Sequence, residues 1–219
     1  MTAATVGIVD YGMGNRRSVE KALERVGARA VLTGDHEALM AADGLIVPGV
    51  GAFPAAMERL RALGLDEVVV QRARAGTPVL GLCLGMQLLF ERSVELSGDT
   101  GLGLLPGEVV DLHPEPPTMK IPHIGWNVVS MTRDSPLTEG LPDRCAFYHV
   151  HSFVARPAEA SDVLGRGDYG GPFVSIVARE EIYGVQFHPE KSSTHGLALL
   201  RNFTAICART PERCGGGRW

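Results

Sequence analysis

The stretch Pro78-Val79-Leu80-Gly81-Leu82-Cys83-Leu84-Gly85-Met86-Gln87 joins a short apolar run to a helix-like segment through a cysteine flanked by glycines. The run Pro78 to Leu82 is typical of a buried strand, and Leu84 to Phe90 is typical of a helix. A fully apolar strand is the kind found in parallel sheets, where helices cover both faces. This stretch therefore predicts one strand-to-helix unit of an α/β fold.

The residues before this stretch repeat the same organisation. The first helix carries Val19, Leu23 and Val26 at spacings of four and three, and Gly27 follows where a helix end favours positive φ. Predicted strands are Val6 to Val9, Ala30 to Leu32 and Gly44 to Val47; predicted helices are Asn15 to Val26, Pro54 to Leu63 and Leu65 to Ala75. Alternation of this kind predicts an open, mostly parallel central sheet with covering helices, of flavodoxin-like type.

The second half has shorter apolar runs that turn residues separate closely. We predict strands at Gly107 to Leu112, Asn127 to Met131, Ala146 to Val150, Val174 to Val177 and Ile182 to Phe187. A closing helix at His195 to Ala208 should bury Leu199, Leu200, Phe203 and Ile206. We expect a mixed sheet with antiparallel additions, a single domain over 1–209, and a flexible tail at 210–219.

Composition narrows the functional classes. The 219 residues carry a net charge of −4 without a basic run, which argues against nucleic acid and anionic membranes as partners. Apolar stretches fall far short of the roughly 20 residues that a membrane span needs, and no signal peptide is visible, so we expect a cytoplasmic protein. The four cysteines lack metal or redox spacing, and Cys145 and Cys207 are expected to be reduced and buried. We expect no metal and no cofactor.

The pattern Gly81-Leu82-Cys83-Leu84-Gly85 is typical of a nucleophile elbow. A sharp strand-to-helix turn crowds the positions two residues before and after the nucleophile, which glycine relieves. The sulfur would lie at a helix N-terminus, which favours negative charge. The amide of Leu84 would be a natural oxyanion donor. A buried structural thiol is the alternative, and the pattern alone does not separate the two.

A nucleophilic cysteine needs a base, and His188 is the best candidate. It ends a predicted strand, and Glu190 follows two residues later, where a carboxylate can orient the imidazole. His36 and His113 lie in polar, loop-like surroundings, and His195 is expected to open the last helix. A polar surface turn is the alternative for His188. The carboxyl end of a strand favours a functional site.

The segment Pro48-Gly49-Val50-Gly51 follows another predicted strand and would reach the same edge of the sheet as Cys83. Its amides could supply a second oxyanion donor. Phosphate binding is the alternative, but the chain has neither Gly-Lys-Ser/Thr nor G-x-G-x-x-G there.

Together these residues resemble class I (triad) glutamine amidotransferases. GLCLGMQ at 81–87 and GVQFHPE at 184–190 correspond to that family's two active-site motifs. DYGMGN at 10–15, PGVGAF at 48–53, KIPHIGWN at 120–127, HSF at 151–153 and HPEKS at 188–192 further resemble the glutaminase subunits of imidazole glycerol phosphate synthases. The resemblance covers residues 6–206.

The resemblance implies that Cys83 hydrolyses L-glutamine through a thioester and that ammonia passes to a separate (β/α)8 cyclase subunit in a heterodimer. It implies three further groups of residues besides the triad Cys83, His188 and Glu190. Val50 and Leu84 would give the oxyanion amides; Gly49, Gly51, Gln87, Ser152 and Phe153 would bind substrate; Asn15, Trp126 and Lys191 would contact the partner. A solvated Lys191 and a core Trp126 are the alternatives.

Two positions depart from the family pattern: His149, where an aromatic is expected, and Arg16, where leucine is common. We expect both on the partner side. Rival functions are a glutaminase for anthranilate or aminodeoxychorismate synthesis, a free-standing cysteine hydrolase or γ-glutamyl peptidase, and a non-catalytic interaction module. KIPHIGWN, DYGMGN, Lys191 and the complete triad argue against them.

Overall fold

A computed structural model describes residues 3–96, 98–116 and 118–209, so the predicted tail at 210–219 lies outside the described residues. The helices are α1 (Arg16–Arg25), α2 (His36–Ala41), α3 (Phe53–Ala62), α4 (Leu65–Arg74), α5 (Leu84–Leu88) and α6 (Ser193–Ala208). The strands are β1 (Thr5–Val9), β2 (Arg29–Thr33), β3 (Gly44–Gly49), β4 (Val79–Cys83), β5 (Phe90–Ser93), β6 (Asp99–Thr100), β7 (Leu105–Asp111), β8 (His123–Met131), β9 (Arg144–His151), β10 (Phe153–Pro157), β11 (Val163–Asp168), β12 (Pro172–Arg179) and β13 (Ile182–Val185).

A parallel array places the candidate catalytic segments at one edge. Strands β2, β1, β3, β4 and β13 lie side by side in that order and run parallel. Gly49 at the end of β3 is opposite Cys83 at the end of β4, and Val185 at the end of β13 is opposite Leu82. The predicted glycine segment, nucleophile and base therefore leave neighbouring strands at the same edge.

A mixed set of strands, antiparallel except for the parallel pair of β5 and β7, extends the other side of this array. Beyond β13 the order is β12, β10, β7, β5 and β6, while β11 pairs with β12 and with β8, which in turn pairs with β9. The prediction of one helix from Leu84 to Phe90 was too long, because α5 ends at Leu88 and Phe90 begins β5. His36 lies in the first turn of α2 rather than in a loop, although its side chain is exposed as expected.

Helices cover both faces of the parallel strands. Alternation within β3 sends Leu45 and Val47 to one core and Ile46 to the other. The first core is closed by α2, α3 and α4, and the second by α1 and α6. The inward residues predicted for α6 are all buried: Leu199, Leu200, Phe203 and Ile206. The predicted amphipathic pattern of α6 is therefore confirmed.

Two local predictions also hold. Gly27 has φ +92 after α1, a conformation that glycine adopts without a side-chain clash. Cys145 and Cys207 are buried, and burial raises the pKa of their thiols to about 11 and about 12. Both are thus poor nucleophiles at neutral pH. Among the described helices, none combines the length and the apolar character needed to cross a membrane.

Candidate active site

The elbow at Cys83 is a tight junction between β4 and α5. Cys83 adopts φ +54 and ψ −112, an uncommon conformation for a residue with a side chain. A Cβ added at Gly81 would lie 2.5 Å from the carbonyl oxygen of Gly85, and one added at Gly85 would lie 1.8 Å from that of Val47. Both contacts are with backbone, so only glycine fits on either side of the turn. The elbow predicted from the sequence is present.

His188 and Glu190 form a buried pair beside the elbow. The Nδ1 atom of His188 lies 3.0 Å from Oε1 of Glu190, and their side chains are 7% and 1% exposed. Burial lowers the pKa of His188, but hydrogen bonds to Cys83 and Glu190 and the charges of both groups outweigh it and raise the pKa to about 9. The predicted nucleophile, base and orienting carboxylate are therefore in contact.

The backbone holds this pair against β9. The amide of His188 donates to the carbonyl of Tyr148 at 2.9 Å, and the hydroxyl of Ser192 donates to the carbonyl of His188 at 2.7 Å. Ser192 also accepts from the amide of Tyr148 at 3.0 Å. Pro189 begins a short 3-10 turn, Pro189–Lys191, that brings Glu190 back toward the imidazole. The backbone of His188 is thus held at both its amide and its carbonyl.

A cavity of about 270 Å³ opens over the sulfur of Cys83. It contains most of the residues that were predicted to bind substrate or an oxyanion. Its lining consists of Val50, Gly51, Cys83, Leu84, Gln87, Glu95, Pro122, Val150, His151, Ser152, Phe153 and His188. Gly49 does not line the cavity; it packs under the elbow, where a Cβ would lie 2.8 Å from the Tyr11 hydroxyl and 2.9 Å from the Leu84 Cβ. Its small size serves this close approach.

The two predicted oxyanion donors lie at the cavity wall. Leu84 is the first residue of α5, and amides in a first helical turn have no partner within the helix. Val50 stands between Gly49 and Gly51, and Gly51 has φ +99. This placement suits the predicted role of both amides, which remains a prediction.

Sequence reasoning missed Glu95 and His151 in the lining. The Oε2 atom of Glu95 accepts from the amide of Phe53 at 2.7 Å, at the start of α3. Glu95 occurs in a polar stretch without a motif, so no sequence pattern pointed to it. His151 belongs to the quoted segment HSF, where only Ser152 and Phe153 were singled out.

The residues predicted to contact a partner differ in exposure. Trp126 on β8 is 56% exposed, which rules out the alternative of a core residue, and its ring packs edge-on against Tyr148 at 6.2 Å. Lys191 is exposed next to Glu190. Asn15 precedes α1, which packs beside the turn containing Lys191. The three therefore border the region around His188.

The expectation for His149 was wrong. Its side chain is fully buried, and Nε2 lies 2.9 Å from the hydroxyl of Ser175. It cannot contact a partner directly, because β9 points it into the space between Phe173 and Phe187. Arg16 is half-buried and forms an ion pair with Asp10.

Comparisons with known proteins agree with this geometry. Residues 7–207 match the family model for glutamine amidotransferase class-I. The chain is 50% identical over 202 residues to the imidazole glycerol phosphate synthase subunit HisH of Bacillus cereus strain G9842, covering 92% of this chain and 94% of the relative. It is 47% identical over 206 residues to the subunit of the same name from Pseudomonas syringae pv. syringae, covering 92% and 97%.

Solved structures support the fold. A crystal structure of a glutamine amidotransferase superposes with a TM-score of 0.71 at 25% identity, covering 93% of this chain and 98% of the other. PurLQS from Thermotoga maritima gives 0.69 at 18% identity, covering 93% and 99%, which shows a shared fold alone. With the triad geometry and these matches together, the chain belongs to the class I glutamine amidotransferase family, within the group of imidazole glycerol phosphate synthase HisH subunits.

Proposed function

We propose that the chain hydrolyses L-glutamine to glutamate and ammonia and delivers the ammonia to a cyclase subunit of imidazole glycerol phosphate synthase in histidine biosynthesis. The observation that carries this proposal is the contact of Cys83, at a positive-φ elbow, with the buried pair of His188 and Glu190 beside a cavity. Relatives at about 50% identity carry the corresponding name.

The reaction follows from these groups. The sulfur of Cys83 attacks the carboxamide carbon, and the amides of Leu84 and Val50 stabilise the negative charge that moves to the oxygen. The His188 imidazolium gives its proton to the amide nitrogen, the C–N bond breaks, and ammonia leaves. Water then attacks the thioester, His188 takes a proton from it, and cleavage of the C–S bond restores the thiolate and releases glutamate.

The cavity wall supplies groups for the other end of glutamine. The Glu95 carboxylate is an acceptor for the substrate's ammonium group. Gln87, Gly51, Ser152 and Phe153 line the same space and would hold the amino-acid end. We assign Gly49 a supporting role, because its lack of a side chain lets Tyr11 and Leu84 approach the strand beneath Val50.

An exposed apolar stripe on β8 supports a heterodimer. Ile124, Trp126 and Val128 are 60%, 56% and 44% exposed and share one face of the strand. Exposed apolar patches of this kind mark interaction sites. A free-standing hydrolase needs no such surface, so the stripe, with Lys191 and Asn15 nearby, favours docking of a cyclase and transfer of ammonia through a channel. The free thiol of Cys145 fits the reducing conditions of the cytoplasm.

The test is co-purification with the cyclase subunit of the same organism, followed by a glutaminase assay with and without that subunit and its nucleotide substrate. We expect Trp126→Ala to weaken binding of the cyclase at least 30-fold, because a large exposed aromatic is typical of an interface hot spot. Leu63→Ala is the matched control, since Leu63 is 43% exposed and lies between α3 and α4. Failure of the complex to hydrolyse glutamine would refute the proposed function. Equal binding of the cyclase by Trp126→Ala and Leu63→Ala would refute the proposed docking surface.

A further inference from the structure

The triad leaves three buried histidines without a role. His123, His149 and His151 are 2%, 0% and 4% exposed, and their rings are neighbours, with centroids 5.0 to 5.7 Å apart. In the described ranges no group of three or more His, Cys, Asp or Glu side chains is arranged to hold a metal ion. Hydrogen bonding, rather than metal binding, is the chemistry to consider for this cluster.

The hydrogen bonds of His151 and His123 have a fixed direction. Nδ1 of His151 lies 3.0 Å from the carbonyl oxygen of Phe153, which can only accept, so Nδ1 carries the proton. Nε2 of a neutral His151 is then an acceptor, and His123 Nδ1, at 3.0 Å, must donate to it. Burial lowers the pKa of His123, and burial together with the charge of His123 lowers that of His151 to about 4, so both rings are neutral at pH 7.

The hydrogen bonds of His123 continue along β8 to Asn127. Nε2 of His123 is left as an acceptor and receives a hydrogen bond from Nδ2 of Asn127 at 3.3 Å. The second hydrogen of this amide goes to the carbonyl of Asp168 at 2.7 Å. Each donor therefore meets an acceptor, and this series of hydrogen bonds requires the Nδ1–H tautomer of both rings.

At the His151 end, this series of hydrogen bonds reaches the wall of the substrate cavity. The Phe153 carbonyl, which His151 binds, also accepts from Nε2 of Gln87 at 3.3 Å. The same Gln87 amide donates to Oε1 of Gln186 at 3.1 Å, and Nε2 of Gln186 lies 3.9 Å from the sulfur of Cys83. Phe153, Gln87 and His151 line the cavity, whereas His123 does not.

We propose that His123 is a positioning residue for glutamine binding: its Nδ1–H holds His151 in the tautomer that fixes the Phe153 carbonyl and, through it, the Gln87 amide. This inference rests on the proposed glutaminase function. A purely structural role is the competing explanation, because His123 also stacks on Tyr169 at 4.1 Å and packs edge-on against Phe173.

Two substitutions of His123 separate these roles. His123→Phe keeps a planar ring for stacking but removes the Nδ1 donor, whereas His123→Asn loses the ring and places an amide N–H close to the former Nδ1 position. In the complex with the cyclase and its nucleotide, we expect His123→Phe to raise KM for glutamine about 10-fold with kcat changed less than twofold. His123→Asn should return KM to within about threefold of the parent value, as expected when the donor is restored.

His113→Phe is the matched control, because His113 is exposed in the loop after β7 and outside the substrate cavity. It should leave KM unchanged. An unchanged KM in His123→Phe, or an equal rise in His123→Phe and His123→Asn, would overturn the proposal and assign His123 to packing.

A second measurement uses the unsubstituted protein and does not depend on glutaminase activity. Nitrogen-15 NMR of the full chain should show protonated Nδ1 and unprotonated Nε2 on both His123 and His151 at pH 7. A protonated Nε2 on His151 would overturn the proposal, because that atom could not accept from His123. This outcome differs from failure of the proposed function, in which the unsubstituted complex would show the predicted tautomers but no glutamine hydrolysis.

Discussion

Replacing Glu190 with glutamine tests the central pair of the site. Gln keeps an acceptor for the Nδ1–H of His188 but removes the charge of a carboxylate whose side chain is 1% exposed. The Oε2 atom of Glu190 is buried without a hydrogen-bond partner among the described residues, so the new NH2 group would also be unsatisfied. The substitution therefore weakens the stabilisation of the imidazolium without removing the base.

The size of the effect follows from the contact. A buried hydrogen bond to a charged group contributes about 1.5–3 kcal/mol, and each 1.4 kcal/mol or so changes a rate about tenfold. We expect Glu190→Gln to lower kcat for glutamine about 10- to 100-fold in the complex. His188→Ala should cost about as much as Cys83→Ala, because nucleophile and base act as a unit.

The pKa of His188 gives a second readout. Its rise from 6.5 to about 9 is what remains after burial, which lowers the pKa, and corresponds to a net stabilisation of the protonated ring by about 3 kcal/mol. Because the folded pKa is raised, this stabilisation is fully present below pH 6.5 and is lost as the pH rises through about 9. The free energy of unfolding of the parent should exceed that of Glu190→Gln most at pH 6, and the difference should shrink toward pH 9.

The assays are glutamine turnover in the complex, denaturant unfolding between pH 6 and pH 9, and NMR titration of the His188 ring. Glu159→Gln is the control, because Glu159 is exposed and remote from the cavity lining. A kcat for Glu190→Gln equal to that of the parent, or a His188 pKa that does not fall, would refute the reasoning.

Three further predictions concern the nucleophile, the elbow and the partner. Cys83→Ala should abolish glutamine-dependent cyclisation while added ammonia still supports it through the cyclase; any glutamine turnover by this variant would contradict the assignment. Gly85→Ala should lower the free energy of unfolding by about 3 kcal/mol or more, because its Cβ would meet the Val47 carbonyl at 1.8 Å. Gly76→Ala, which meets nothing within 4 Å at φ +79, should cost only about 1–2 kcal/mol, and equal losses would argue against a crowded elbow. The isolated chain should hydrolyse glutamine slowly and accelerate by orders of magnitude only with the cyclase and its nucleotide bound, since glycines on both sides of Val50 leave that peptide free to turn. Lys191→Ala should weaken docking without changing the residual rate of the isolated chain, and normal binding by this variant would count against its place at the interface.

Much of the parallel half could be predicted because its signals are local. A buried strand such as β4 is a continuous apolar run, and α1 has apolar residues at helical spacing, so each element can be recognised from a short stretch of sequence. The crowding at Gly81 is equally local, because it arises from Gly85 and Met86, whereas the crowding at Gly85 comes from Val47 and Pro48 on the adjacent strand β3.

The antiparallel half offered weaker signals. β5 has the sequence Phe-Glu-Arg-Ser, with only its two ends buried, so no apolar run marks it. β10 and β11 interrupt their apolar residues with Arg156 and with glycines. In the parallel half, α2 is similarly difficult to predict, because it is a six-residue helix with one buried residue, Leu39. The conformation of such short elements depends on the strands and helices that pack on them, and those contacts cannot be identified from the local sequence.

The same distinction explains which parts of the site could be predicted. His188 and Glu190 are two residues apart, so a motif contains the whole interaction. The hydrogen bond between His123 and His151 spans 28 residues, and that between Gln87 and Gln186 spans 99. Such pairs meet only through the register of β8 with β9 and of β4 with β13, where a shift of one residue would turn each side chain to the opposite face. The reacting groups are thus encoded in short motifs, whereas the hydrogen bonds that hold the residues lining the cavity depend on strand register, and those hydrogen bonds can be identified only when the fold is known.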